Sequence, residues 1–157
     1  MAHERSEDRF LFSDSPTLIN IDVVHGFLST CYWSHSIPRA LLTKAIANSM
    51  PFGVYEQATG SPRQVGFARV ISDRATFAYI ADVFILESHR GRGLSKLLME
   101  HIQTHPDLQG LRRWCLLTRD AQGLYEKCGY GYLDNPKSFM HINRRDLYRT
   151  ATPLSGS

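Results

Sequence analysis

The sequence predicts an α+β domain on three observations: an almost unbroken apolar run over residues 77–86, a basic glycine-rich turn after it, and an amphipathic helix after the turn. An apolar run that does not alternate is what a strand covered on both faces looks like. A strand, a helix and a further strand in succession form a right-handed crossover between parallel neighbours. With 157 residues the chain has the size of one domain and enough length to bury a substantial core. The expected division is one domain over residues 1–149 and a loose tail over 150–157, rich in Ser and Thr.

In chain order, a short strand is expected around residues 10–12. Helices follow over 20–31 and 39–49, parted by residues 34–38, with Pro38 suited to a helix start. Strands over 51–56 and 64–71 flank Thr59, Gly60, Ser61 and Pro62, which reads as an antiparallel hairpin. The run over 77–86 is expected at the centre of the sheet. Leu94, Leu97, Leu98 and Ile102 then recur at helical spacing opposite Lys96, Glu100 and Gln103, and Pro106 marks the end of that helix. A strand over 112–118, a short helix over 121–128 stopped by Gly129, and a closing pair of strands over 130–133 and 139–142 complete the expectation.

Bulk properties exclude more than they select. Eighteen Lys and Arg against fifteen Asp and Glu make the chain only mildly basic, short of a dedicated nucleic-acid binder. A nucleic-acid surface built on Arg90, Arg92, Arg112, Arg113, Arg144, Arg145 and Arg149 is the competing reading, and the charge balance speaks against it. No apolar stretch reaches the roughly 18 residues of a membrane span, and residues 1–9 are polar instead of forming a signal-peptide core, so a cytoplasmic protein without a membrane partner is expected. Cys31, Cys115 and Cys128 are an odd number without metal-ligand spacing and read as reduced, mostly buried thiols. His89 and His101 show no pairing that suggests a metal, and none is expected.

The chemistry concentrates in Arg90, Gly91, Arg92, Gly93, Leu94 and Ser95. The first N–H groups of a helix lack partners and its dipole favours an anion, so a strand feeding a glycine turn into a helix start is a phosphate cradle. Arg90, Arg92 and Lys96 add charge, and Gly91 and Gly93 carry no Cβ to hold a ligand away from the backbone. An anionic cofactor is expected there.

This stretch resembles the Arg/Gln-x-x-Gly-x-Gly/Ala signature of the GNAT superfamily of acetyl-CoA-dependent N-acetyltransferases. Leu124, Tyr125, Glu126, Lys127, Cys128, Gly129 and Tyr130 are similar to the family's Leu-Tyr-Glu-Lys-x-Gly-Phe/Tyr segment. The resemblance covers roughly residues 65–132. It departs at Ser95, where the family has Gly or Ala, and at Thr118, where many relatives carry Asn. It implies a GNAT-like acyl-CoA N-acyltransferase fold: a mostly antiparallel sheet with a parallel pair splayed at its centre and flanking helices, the pantetheine arm lying in the gap. Acetyl-CoA, as co-substrate, would pair with backbone groups near Phe84, Ile85 and Leu86. Its pyrophosphate would sit on the amides from Gly91 to Lys96. Tyr125 would donate a proton to the departing sulfur.

The reaction so implied moves an acetyl group directly onto a primary amine, which is mostly protonated at neutral pH and must shed a proton before attack. Asp82 is a lone carboxylate inside an apolar strand. It is either a base sharpened by desolvation or a structural aspartate tied to backbone N–H groups at a bulge or to a nearby Arg such as Arg69 or Arg119. Asp120, just before a short helix, suits an N-cap. Tyr32, Trp33 and His35 form an aromatic cluster that, with Phe52 and Tyr79, would line a pocket for an apolar or cationic amine unless they are ordinary core. A small-molecule amine is the expected acceptor, and the protein a monomer or homodimer. A CoA-binding module without turnover, or an enzyme acting on protein N-termini or lysines, is the alternative.

Overall fold

In a computed structural model, which describes residues 1–150, six strands pair in chain order into one mixed sheet. β1 (Glu4–Glu7), β2 (Phe10–Ser13), β3 (Met50–Glu56), β4 (Arg63–Ser72) and β5 (Phe77–Ile85) are successively antiparallel, and β6 (Arg113–Leu116) runs parallel to β5. Helices α1 (Ile21–Leu28) and α2 (Arg39–Ala47) cover one face and α3 (Leu94–Gln103) the other. Short helices α4 (Gln122–Glu126) and α5 (Leu147–Thr150) follow β6. The tail expected over 150–157 lies, except for Thr150, outside the described residues.

Two apolar clusters hold the layers together. Leu94, Leu98, Met99 and Ile102 of α3 pack on Phe10, Phe12, Ala68, Val70, Ala78 and Ile80. Leu94, Leu98 and Ile102 are the expected stripe, one residue per turn on one helix face. On the other face Val24, Leu28 and Leu42 meet Phe67 and Phe84. β4 is buried on both faces from Gln64 to Ala68, so β3 and β4 form the middle of the sheet, and the run over 77–86 is its fifth strand instead of its centre.

β1 was not expected, because Glu4, Arg5, Ser6 and Glu7 carry no apolar signal. As an outermost strand it needs none: charged residues suit an edge that must not pair further. The closing strands over 130–133 and 139–142 are absent among the described residues. Tyr132, Leu133, Phe139, Met140 and Ile142 are strand formers by composition, yet they stand exposed. Strand propensity acts through packing on a neighbouring pleated surface, and β6 offers only four residues of pairing edge. Pro136 moreover opens a 3-10 turn (Pro136–Ser138) in the middle of the segment. The parallel pair β5–β6 therefore lies at the edge of the sheet and not at its centre.

A β-bulge in β5 sets up the site. Arg69 pairs with Ala81 and Phe67 with Phe84, so Ala68 of β4 faces both Asp82 and Val83. Asp82 takes φ 57°, a left-handed conformation that Asp adopts more readily than most residues. The extra residue reverses the alternation: Ala78 and Ile80 before it and Ile85 after it all belong to the α3-side core, while Phe84 joins the α1–α2 side.

Candidate active site

One half of the candidate site is backbone. β5 and β6 are paired from Phe77 with Arg113 to Ile80 with Leu116, and there the pairing stops. β5 runs on to Ile85, leaving residues 81–85 without a strand partner on that side among the described residues. The chain then passes through the 3-10 turn Glu87–His89 into Arg90 and the two glycines. Leu86 is committed: its N–H donates to Val65 O (2.8 Å) and its carbonyl accepts from His89 N (2.8 Å).

Gly91 (φ 76°) and Gly93 (φ 73°) both adopt left-handed backbone, and Gly93 is the N-cap of α3 with no side-chain cap. A Cβ on either would meet nothing within 4 Å, so conformation requires glycine here, and the space before the turn is open. Among the described residues the N–H groups from Gly91 to Lys96 have no acceptor. That fan of donors, Arg92, Gly93, Leu94 and Ser95 included, has the chemistry a diphosphate needs.

The turn is braced from below. Arg90 Nε donates to Ile85 O at 3.1 Å. His89 is buried, with Nε2 3.2 Å from Glu56 Oε2 and Nδ1 2.8 Å from Ser88 Oγ. Glu56 also holds Arg63 (2.6 Å) and Arg9 (3.2 Å), and Arg63 first, then His89, keep its carboxyl below the usual range.

Tyr125 projects from α4 with 8% of its surface exposed, its ring edge-on to Tyr130 at 5.8 Å. Burial above all, with Cys128 and Tyr32 adding, pushes its phenol up to about 12. Its hydroxyl makes no hydrogen bond among the described residues. The start of α4 corrects one expectation: Thr118 Oγ1, not Asp120, takes the free amide, accepting from Ala121 N at 3.0 Å. Asp120 is exposed and pairs with Arg119 at 3.5 Å.

The other half is side chains. Asp82 Oδ2 accepts from Arg69 Nε at 2.8 Å and Oδ1 from Trp33 Nε1 at 3.2 Å. Arg69, named from the sequence as a candidate partner, is the one found; Arg119 instead stacks its guanidinium on the Tyr32 ring at 3.8 Å. Tyr32 and Trp33 are edge-to-face at 5.0 Å, and the Tyr32 hydroxyl accepts from Arg119 N at 3.3 Å. Both rings and His35 wall a cleft of about 430 Å³ whose other wall is residues 142–145 and 147–149. That second wall was not foreseen; the Arg144–Arg145 pair near Tyr148 was its trace in the sequence.

Phe52 does not reach this cleft. It is fully buried on the opposite face, against His101 (6.0 Å) and His105 (5.7 Å). Tyr79 is half-buried in β5, its phenol raised first by burial and then by the Asp82 charge. The three cysteines are free and half-buried, and burial pushes the Cys31 thiol up to about 11. Burial raises the Cys128 thiol as well, so neither of these two is a ready thiolate.

Comparisons with known proteins identify the family. Residues 48–131 match the family described as "Acetyltransferase (GNAT) domain". A Gibberella zeae protein named as an acetyltransferase is 33% identical over 138 residues, covering 75% of this chain and 76% of that one. A Xanthomonas campestris crystal structure, described as an acetyltransferase of the GNAT family, superposes with TM-score 0.85 at 46% identity over 92% of this chain and all of that one. A Deinococcus radiodurans structure with TM-score 0.69 at 19% identity, covering 90% of this chain and 93% of that one, shares the fold. The chain belongs to the GNAT acetyltransferase family.

Proposed function

We propose that the protein moves the acetyl group of acetyl-CoA directly onto the primary amine of a small molecule. The observation that carries this reading is continuous: a stretch of β5 without a neighbour on one side leads into six successive N–H groups without acceptors. Ile85 offers backbone to the pantetheine amides, while Phe84 is turned to Phe67 and Leu86 to Val65 across β4. The turn from Arg90 to Lys96 holds the diphosphate. When bound, acetyl-CoA supplies an activated acetyl carbon and a thiolate leaving group.

Transfer forms a C–N bond and breaks the C–S bond. Tyr125 keeps its proton at neutral pH because its phenol lies near 12, so it donates to the departing sulfur and recovers a proton from the newly acylated nitrogen through solvent. Asp82, with one oxygen on Arg69 and the other on Trp33, is placed as a positioning residue: it fixes the indole at the cleft mouth. Tyr32 and Trp33 orient the amine, whereas Tyr79 is not among the residues that line the cleft. The cleft of about 430 Å³ favours a small acceptor over a polypeptide.

Calorimetry with CoA at low ionic strength, followed by thiol release with an amine panel, tests the reading. Uptake without release would instead make the protein a CoA-binding module. In Tyr125→Phe, turnover should fall about 100-fold with CoA affinity unchanged. Equal turnover across the pH range would remove Tyr125 from the reaction.

A further inference from the structure

Resting on that reading, we propose that the acceptor amine carries its own anionic group, a carboxylate or phosphate a few bonds from the nitrogen, and that Arg144 and Arg145 bind it.

The cleft walled by Tyr32, Trp33 and His35 is closed on its far side by a segment bearing Arg144, Arg145 and Arg149, and among the described residues no carboxylate lines it. Arg149 is partly neutralised, with Nη1 3.6 Å from Asp146 Oδ1. Arg144 and Arg145 have no ion-pair partner among the described residues, although most arginines outside the phosphate turn pair with a carboxylate. Two uncompensated guanidinium groups in one concavity form a field that concentrates small anions, and their planar forks match carboxylate and phosphate oxygens.

The cleft also sits beside the reacting groups. Trp33 belongs both to its wall and to the Asp82 bond on β5. Tyr32 links it to Arg119, which begins the loop into the helix that carries Tyr125. An anion held on the far wall therefore leaves an amine a few bonds away at the β5–β6 gap. The same positive field disfavours an ammonium and eases loss of its proton. It works against the purely cationic amine that the aromatic cluster alone suggests.

Matched probes test this: β-alanine against β-alaninamide, and phosphoethanolamine against ethanolamine, each with acetyl-CoA. The expected result is a kcat/KM roughly 10- to 100-fold higher for the anionic member of at least one pair, the pair showing whether carboxylate or phosphate is preferred. In Arg144→Gln/Arg145→Gln that ratio should fall to within about 3-fold of unity, with CoA affinity unchanged. Both side chains are exposed, so folding is not at stake.

Binding of the same probes to CoA-saturated protein, read by calorimetry, separates this inference from the one beneath it. Anion preference in binding without thiol release upholds the basic cleft and overturns acetyl transfer. Equal turnover of both members overturns the cleft assignment and leaves acetyl transfer standing. A ratio unchanged in the double variant, or no binding of any probe, also overturns it.

Discussion

The two halves of the site are made of different material. The donor half, from β5 through the glycine turn into α3, is almost wholly main chain: an unpaired strand edge and six amides without acceptors. The acceptor half is side chains from four separated places: Tyr32 and Trp33 before α2, Arg69 on β4, Asp82 at the bulge, and the arginines near α5. On the proposed reading, backbone donors recognise what every reaction of this kind shares, a diphosphate and two amides. Side chains recognise what differs from one amine to another. Damage to one half should therefore leave the other half's ligand largely untouched.

The strongest test of that separation is Asp82→Asn. Asn tolerates the left-handed backbone and still accepts from Trp33, but it leaves the Arg69 guanidinium without its counter-charge where the two side chains are only 16% and 10% exposed. Removing one partner of such a pair costs about 3 kcal/mol. Urea unfolding should show that loss, and acceptor KM should rise while CoA affinity stays within twofold. A general base at 82 would instead show as a collapsed kcat with its acid limb gone from the pH profile. A stability loss below about 1 kcal/mol would mean that the pair does not hold the bulge.

The same division governs what the sequence revealed. Spacing encodes the donor half: Leu94, Leu98 and Ile102 announce α3, and Gly91 and Gly93 announce the turn, because each acts within a few residues of its neighbours. The bulge was legible only as one setting for a structural Asp82, since an unbroken apolar run carries no phase and the extra residue is defined only against Arg69 and Phe67 across the ladder. Asp82 drew notice by its charge, and Arg69 could be named as its partner, but Trp33, 49 residues away, could not. Residues 130–142 misled because composition reports a capacity for strand, while a strand also needs a neighbour. Arg144 and Arg145 were visible only as bulk positive charge.

Acid should act on the donor half. His101 sits on α3, buried, its Nε2 3.1 Å from the carbonyl of His3, with the His3 ring stacked at 4.4 Å. Burial first, and the His3 and His105 rings after it, push the imidazole down to about 4, while the His3 carbonyl and Asp14 pull the other way. The native state thus keeps this group neutral where the unfolded chain, titrating near 6.5, takes up a proton. Its contribution is complete above pH 6.5, declines as pH falls, and is gone near pH 4, up to about 3 kcal/mol in all. Urea midpoints at pH 7.5, 6 and 4.5 should trace that decline, and His101→Phe should flatten it. A variant with the same slope would assign the acid sensitivity elsewhere.

The smallest expected effect sharpens the comparison furthest. Asn20 Oδ1 accepts from Asp22 N (3.0 Å) and Val23 N (3.2 Å), satisfying two amides at the start of α1. Its own N–H donates to Gln64 Oε1 at 2.7 Å, and Gln64 Nε2 donates to Gly66 O at 3.1 Å, so the cap ties the helix to β4. An eight-residue helix depends on such anchoring, because a segment that short is marginal alone. Asn20→Ala should cost about 1 kcal/mol and Asn20→Gly only a few tenths. The helix leads directly to Tyr32 and Trp33, so the looser start should raise acceptor KM about 2-fold while CoA affinity, which depends on amides across the sheet, does not move. Equal losses for both ligands would show that the two halves are mechanically one, because a cap on α1 reaches the phosphate turn only through the sheet that both halves share.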